Sequence, residues 1–271
     1  MSMNSHRTFL HRHPVFTARD LALHMASRGA VGPRTQEAFL AYYRKTRRLA
    51  RIRRGLYAVV PPGADPKSQP INPYLIAARL TQDALLSHHT ALEYHGRAHS
   101  VWQHFVYSAS QPLRPVTFRS HLFRGVRFPR PLLRCGNQFH STLESEEEGL
   151  PIRVTSLERT LVDVLHRPDL GGGWEEVWRS LESIEFFDLD VVVAYALMLE
   201  NATTAAKVGF FLEQHRTELM VDDGYLDRLR CHRPRQPHYM DRTSRQPGRL
   251  VAEWNLMVPD DVLARSWEEV S

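Results

Sequence analysis

Apolar and polar positions along this chain recur with two different periods, and the periods predict a mixture of helices and strands. Leu21 and Met25 stand at helical spacing behind Phe16-Thr17-Ala18-Arg19-Asp20. There Thr17 can cap a helix, and Asp20 places a carboxylate near its positive end. Gly29 and Gly32-Pro33 break that helix, and a second is expected from about Thr35 to Arg48, with Phe39, Leu40 and Tyr43 on one side. The period then changes to two. Ile52, Leu56, Ala58 and Val60, arranged around Arg54-Gly55, predict a small β-hairpin. Helix, turn, helix, hairpin is the order of a winged helix-turn-helix.

Four prolines within Pro61 to Pro70, and no apolar periodicity, predict a linker. Beyond it the pattern predicts a helix at Pro73 to Arg79, a short apolar run at Ala84 to Ser87, and a short helix at His88 to His95. β-like alternation follows at Val101 to Tyr107 and Val116 to Phe128. Thr142 to Gly149 holds four glutamates and is expected as an exposed acidic loop. A strand at Ile152-Arg153-Val154 leads into a helix opened by Thr155 and Glu158 as a capping box. Its core side carries Leu157, Leu161, Val164 and Leu165. Past the break at Gly171-Gly172-Gly173, helices are expected at Trp174 to Ser183, Leu189 to Leu199 and Ala202 to Arg216, and an amphipathic end at Val258 to Val270. The fold class expected is α+β, with a winged helix at 1–62, a linker at 63–72 and a larger mixed α/β domain at 73–271.

Charge sharpens this division. Residues 1–60 hold eleven arginines and Lys45 against Asp20 and Glu37, whereas residues 151–271 hold 14 basic and 21 acidic side chains. A basic head on an acidic tail suits a polyanionic partner for the head. Lys45, Lys67 and Lys207 are the chain's lysines, so most of its cations are planar guanidinium forks that match phosphate and guanine edges. A GC-rich genome also raises arginine over lysine, so the clustering carries the argument. Duplex DNA is gripped through phosphates and read by a helix in the major groove. Arg34, Thr35 and Gln36 open the second helix, where base edges are touched, and Tyr43, Arg44, Arg47 and Arg48 follow along it. Arg51, Arg53 and Arg54 of the hairpin are expected on phosphate or in the minor groove.

No constellation predicts catalysis. Glu158 and Asp163 are five residues apart on one helix and diverge around it, so an ion pair from Glu158 or Arg159 to another element is the expected role. His88 and His95 share a helical face, and His95 and His99 are four apart, but Glu93 points elsewhere and no cysteine completes a metal site. A hydrogen-bonding role is expected for His88. The triple glycine lacks the Lys-Ser or Lys-Thr of a phosphate loop, and Lys207 has no neighbouring carboxylate for nuclease chemistry. No cofactor is expected. Cys135 and Cys231 fit neither a disulfide framework nor a zinc motif. With no secretory apolar stretch and no membrane span, the protein is expected in the cytoplasm.

Several phrases resemble the AbiEi family, antitoxins of AbiE-type (type IV) toxin–antitoxin systems. They are Phe16 to Leu21, the hairpin Leu49 to Tyr57, Leu86-Ser87-His88-His89-Thr90-Ala91-Leu92-Glu93-Tyr94-His95-Gly96, and Val154-Thr155-Ser156-Leu157-Glu158-Arg159-Thr160-Leu161-Val162-Asp163. The resemblance spans residues 15–165. It implies a winged helix that represses its own promoter and a C-terminal domain that neutralises a cognate nucleotidyltransferase-like toxin. The charge pattern by itself supports the first half. Two other readings stay open: a stand-alone regulator whose body binds a small molecule or protein, with no toxin, and a catalytic body such as a metal-dependent hydrolase. A homodimer on two half-sites and a monomer on tandem sites both fit.

Overall fold

Thr17 starts a helix as its neighbours predict. In the computed structural model, which describes residues 3–29, 32–241, 247–265 and 267, the Thr17 hydroxyl accepts from the Asp20 N–H at 3.1 Å. The Asp20 carboxylate accepts in return from the Thr17 N–H at 2.8 Å. This capping box satisfies two donors that a helix start leaves open. Around it run α1 (Met3–Arg12), β1 (Val15–Thr17), α2 (Ala18–Ala26), α3 (Pro33–Lys45), β2 (Leu49–Arg53) and β3 (Leu56–Val59). The strands form an antiparallel sheet in the order β1-β3-β2, with Phe16 opposite Tyr57 and Ala50 opposite Ala58. Nothing in the polar, histidine-rich start of the chain predicts α1. It contributes Phe9 and Leu10 to a core shared with Phe16, Leu21, Met25, Phe39, Leu49 and Tyr57.

Contacts divide the chain into two units, the first being Met1–Leu86, Gln103–Arg127 and Glu144–Arg153. The segment 63–72 lies inside this unit and is anchored. Asp65 accepts from the Lys67 N–H at 3.2 Å and the Ser68 hydroxyl at 3.1 Å. The Arg119 guanidinium donates to the carbonyls of Pro66 and Gln69. Asn72 then caps α4 (Pro73–Arg79) and donates to Glu147 at 2.8 Å. The rest of the unit is built on β4 (Leu85–Leu86), β5 (His104–Ala109), β6 (Val116–Phe118), β7 (His121–Arg127) and most of β8 (Thr142–Glu147) and β9 (Leu150–Thr155), in the order β6-β7-β5-β4-β9-β8. Strands β5 and β7 are parallel. The acidic stretch expected as a loop is strand β8, a correction with a simple cause. An edge strand tolerates charge on its wet face, so Glu144 and Glu146 are exposed while Ser145 and Glu147 are half-buried.

The second unit is Ser87–Trp102, Phe128–Leu143 and Val154–Ser271. It contains α5 (His89–Tyr94), α6 (Arg130–Arg134), α7 (Leu157–His166), α8 (Pro168–Gly171), α9 (Trp174–Glu182), α10 (Leu189–Met198), α11 (Ala202–Gln214) and α12 (Asp223–Arg230). A small sheet of β10 (His238–Tyr239), β11 (Gly248–Val251) and β12 (Leu256–Pro259), in the order β10-β12-β11, precedes α13 (Asp260–Ala264). The amphipathic end expected at 258–270 is thus the close of β12 followed by α13, and residues 266 and 268–270 lie outside the described residues. Leu161, Trp178, Val192, Phe211 and Trp254 belong to one core. The chain is therefore α+β.

Helix α7 opens on Ser156, whose hydroxyl accepts from the Arg159 N–H at 3.4 Å, rather than on Thr155 and Glu158. The Thr155 hydroxyl instead meets that of Thr160 at 2.7 Å. Arg159 is fully buried and 3.4 Å from Asp163 one turn on, and it donates to the carbonyls of Gln138 and His140 at 2.9 and 2.7 Å. The Tyr195 hydroxyl donates to Asp163 at 2.7 Å. The ion pair expected to reach another element is thus closed within α7, and Arg159 reaches its neighbouring loop through carbonyls. A buried guanidinium is tolerable only with such saturation.

Asp163→Ala leaves that cation unpaired and should cost about 3–5 kcal/mol in urea unfolding; a loss below about 1 kcal/mol contradicts the account. A second prediction concerns His88, which burial pushes down to about 4, with Asp163 pulling the other way, while its Nδ1 lies 3.0 Å from the Ser87 hydroxyl. The folded chain holds it neutral, so its contribution is present above pH 6.5 and lost as pH falls from 6.5 toward 4. The fall in stability over that window should be shallower in His88→Asn; an unchanged slope places the titration elsewhere.

Candidate nucleic-acid interface

Pro33 begins α3 at the position where a missing N–H costs nothing. The helix ends on a Schellman motif, with the Arg48 N–H on the Tyr43 carbonyl at 2.8 Å and the Arg47 N–H on the Arg44 carbonyl at 3.1 Å. The residue after such a helix end is left-handed, a place glycine normally fills. Here it is Arg47, at φ 57°, where a Cβ costs about 1 kcal/mol. The hairpin follows at once. A register shift between Arg51 and Arg53 makes a bulge at buried Ile52, and Gly55, at φ 81°, supplies the positive φ of the turn. Bulges strengthen local twist, so Arg51, Arg53 and Arg54 cannot behave as one flat row.

The structure separates the ten residues singled out in the sequence. Arg34, Thr35, Arg44, Arg47, Arg51 and Arg54 are exposed, as is Lys45. Among the described residues none of these cations has an ion-pair partner; of the two head carboxylates, Asp20 lies 3.9 Å from Arg79. The other four are tied into the fold. Gln36 donates its side-chain amide to the Ala18 carbonyl. Arg48 donates through Nε to the Val60 carbonyl at 3.2 Å, and Arg53 through Nη1 to the Leu80 carbonyl at 3.4 Å. Tyr43 is half-buried with its ring 4.5 Å from that of Phe39, while Tyr42 is 60% exposed. The i+4 spacing of Phe39 and Tyr43 is the sequence signal that separates the two tyrosines.

Beneath this face the head is aromatic. Phe9 stacks on His13 at 4.4 Å and on His24 at 4.6 Å, and His6 lies 4.9 Å from Phe39. Burial lowers His6 and His24, and Arg28 lowers His24 further. Both shifts work against further positive charge in the head.

Three histidines of the second unit are bonded within it, His99 through its backbone alone. His89 is buried, stacked on Trp102 at 4.2 Å, with Nε2 3.1 Å from Glu176. Burial raises Glu176, but hydrogen bonds from His89 and Ser100 outweigh it and hold it at about 2. His95 Nε2 donates to the Thr155 carbonyl at 2.8 Å, and the His99 N–H donates to the Ser180 hydroxyl at 2.9 Å. Among the described residues no three His, Cys, Asp or Glu side chains are placed to hold one metal ion. Lys207 is buried, donates to the Leu165 carbonyl at 3.1 Å and lies 5.1 Å from the centre of the Trp174 ring. No helix among the described residues is long and apolar enough to cross a membrane.

No family model and no curated protein matches the chain. Among solved structures it is similar to the crystal structure of the RV2827C protein from Mycobacterium tuberculosis. The two share 17% identity at a TM-score of 0.54, over 94% of this chain and 90% of that one. At that identity the likeness is one of fold alone.

If Arg47 is held against its backbone preference, Arg47→Gly should raise stability by about 0.5–1 kcal/mol in urea unfolding, while Arg47→Val should lower it. Destabilisation by glycine would remove the claim of strain.

Proposed function

We propose that residues 1–60 form a winged-helix DNA-binding module and that the protein is a transcriptional repressor of its own promoter, acting by binding rather than catalysis. The element order α1-β1-α2-α3-β2-β3, with the hairpin directly after α3, supports the module. In this reading α3 enters the major groove and the β2–β3 turn is the wing. The observation that carries the reading is the set of exposed, uncompensated cations Arg34, Arg44, Lys45, Arg47, Arg51 and Arg54 on α3, its end and the following hairpin. Such groups neutralise phosphates and so release their condensed counterions into solution. Arg34 and Thr35 at the start of α3 are the base-reading candidates, with Gln36 available only through what its bond to Ala18 leaves free. Arg48 and Arg53 position the helix end and the wing. The further reading as an antitoxin against a nucleotidyltransferase-like toxin rests on the resemblance to the AbiEi family.

Fluorescence anisotropy with the chain's own upstream duplex tests the first half. Log affinity should fall linearly with log salt, and Arg44→Ala/Arg47→Ala/Arg51→Ala should reduce that slope by about three, near one per phosphate contact. A triple variant with the parent's slope would sink the interface. Co-expression tests the second half: the product of an adjacent gene should be toxic alone and harmless with this protein, and a neighbour harmless alone removes the antitoxin role.

A further inference from the structure

A cleft of about 410 Å³ lies in the first unit beside α1, the start of β1 and the anchored proline-rich segment. Its size is that of a small-molecule pocket. Leu10 and Val59 give it an apolar surface, Pro62, Pro70 and Ile71 line it from the proline-rich side, and Arg7 and Arg48 supply positive charge. Glu148 is the single carboxylate in its lining, against Arg7, Arg48 and the ring of His11. The proline-rich side is held in place. Arg119 clamps the Pro66 and Gln69 carbonyls, its guanidinium lies 5.0 Å from the centre of the Phe118 ring, and Asn72 is bonded to Glu147. Proline rings present rigid apolar faces at low entropic cost, so a flat hydrophobic group can settle there without ordering the segment first.

We infer that this cleft binds a small apolar carboxylic acid, its ring system against the prolines and its carboxylate between Arg7 and Arg48. Arg48 also links the site to α3. Its N–H closes the Schellman motif on Tyr43, its carbonyl accepts from the Val60 N–H at 2.9 Å, and its Nε donates to the Val60 carbonyl. A bound carboxylate neutralises positive charge directly behind the end of α3, so occupancy weakens duplex binding; this coupling rests on the DNA-binding reading, whereas the site itself does not. Loss of about one phosphate-equivalent of charge is the expected scale.

The probe is 2-naphthoate, with neutral 2-naphthamide as its control, titrated by calorimetry into the full chain without DNA. Saturable 1:1 binding of naphthoate is expected, at least tenfold weaker for naphthamide and about tenfold weaker in Arg7→Gln. Arg7 is exposed on α1, so that variant folds even if Arg48→Gln does not. Absence of saturation at millimolar naphthoate, or equal affinity for acid and amide, overturns the site. In a second arm, naphthoate at about three times the parent's Kd should weaken duplex binding about fourfold in the parent and by less than about 1.5-fold in Arg7→Gln at the same concentration. Binding that leaves duplex affinity unchanged overturns the coupling. A chain that binds no duplex even without naphthoate fails the DNA reading instead, and the first arm still decides the site.

Discussion

Crowding cations onto one stretch of chain is unfavourable unless the rest of the head offsets the repulsion, and that constraint organises the first sixty residues. Eleven arginines and Lys45 face only Asp20 and Glu37, and Asp20 is engaged by the Thr17 cap. Among the described residues no salt-bridge network neutralises the surface, so stability has to come from below it. The aromatic and aliphatic cluster of Phe9, Phe16, Phe39 and Tyr57, buried to under a tenth of full exposure, supplies it. His6 and His24 join that layer with depressed affinities for protons, which keeps further positive charge out of the interior. A surface left electrostatically unfavourable in the isolated protein is one that a polyanion relieves.

The second unit handles charge in the opposite way. Arg159 is withdrawn from water entirely and answered by Asp163 and two carbonyls, and Glu176 is held ionised by His89 and Ser100. These groups fix the loop 136–140 and α9 in place. One chain thus uses arginine in two ways, as a solvent-exposed guanidinium at α3 and as an internal tie at α7. Sequence position alone does not separate them; burial and partners do.

Where local chemistry decided a structure, the sequence was legible. The Thr17–Asp20 cap, the Arg54-Gly55 turn and the helices near 73–79, 174–182, 189–198 and 202–214 all announce themselves through spacing or turn residues. Long-range partners decided the remainder. Nothing near Pro66 or Gln69 reveals that Arg119, some fifty residues on, clamps them. Strand β8 hides because glutamates occupy positions where a buried strand would carry valines, and α1 hides behind its histidines. The strands of the last forty residues are two to four residues long, too short for a period to register. Within the candidate interface, exposure of Arg34, Arg44, Arg47, Arg51 and Arg54 follows the charge pattern. The internal bonds of Gln36, Arg48 and Arg53 run to backbone carbonyls, which no side-chain pattern encodes.

Arginine-specific labelling with phenylglyoxal, read by mass spectrometry with and without the upstream duplex, tests the central claim most directly. Duplex should slow modification of Arg44, Arg47, Arg51 and Arg54 at least several-fold, and leave Arg216 and Arg228 of the second unit unchanged. Equal labelling of the α3 and hairpin arginines in both conditions, with the duplex demonstrably bound, would contradict it.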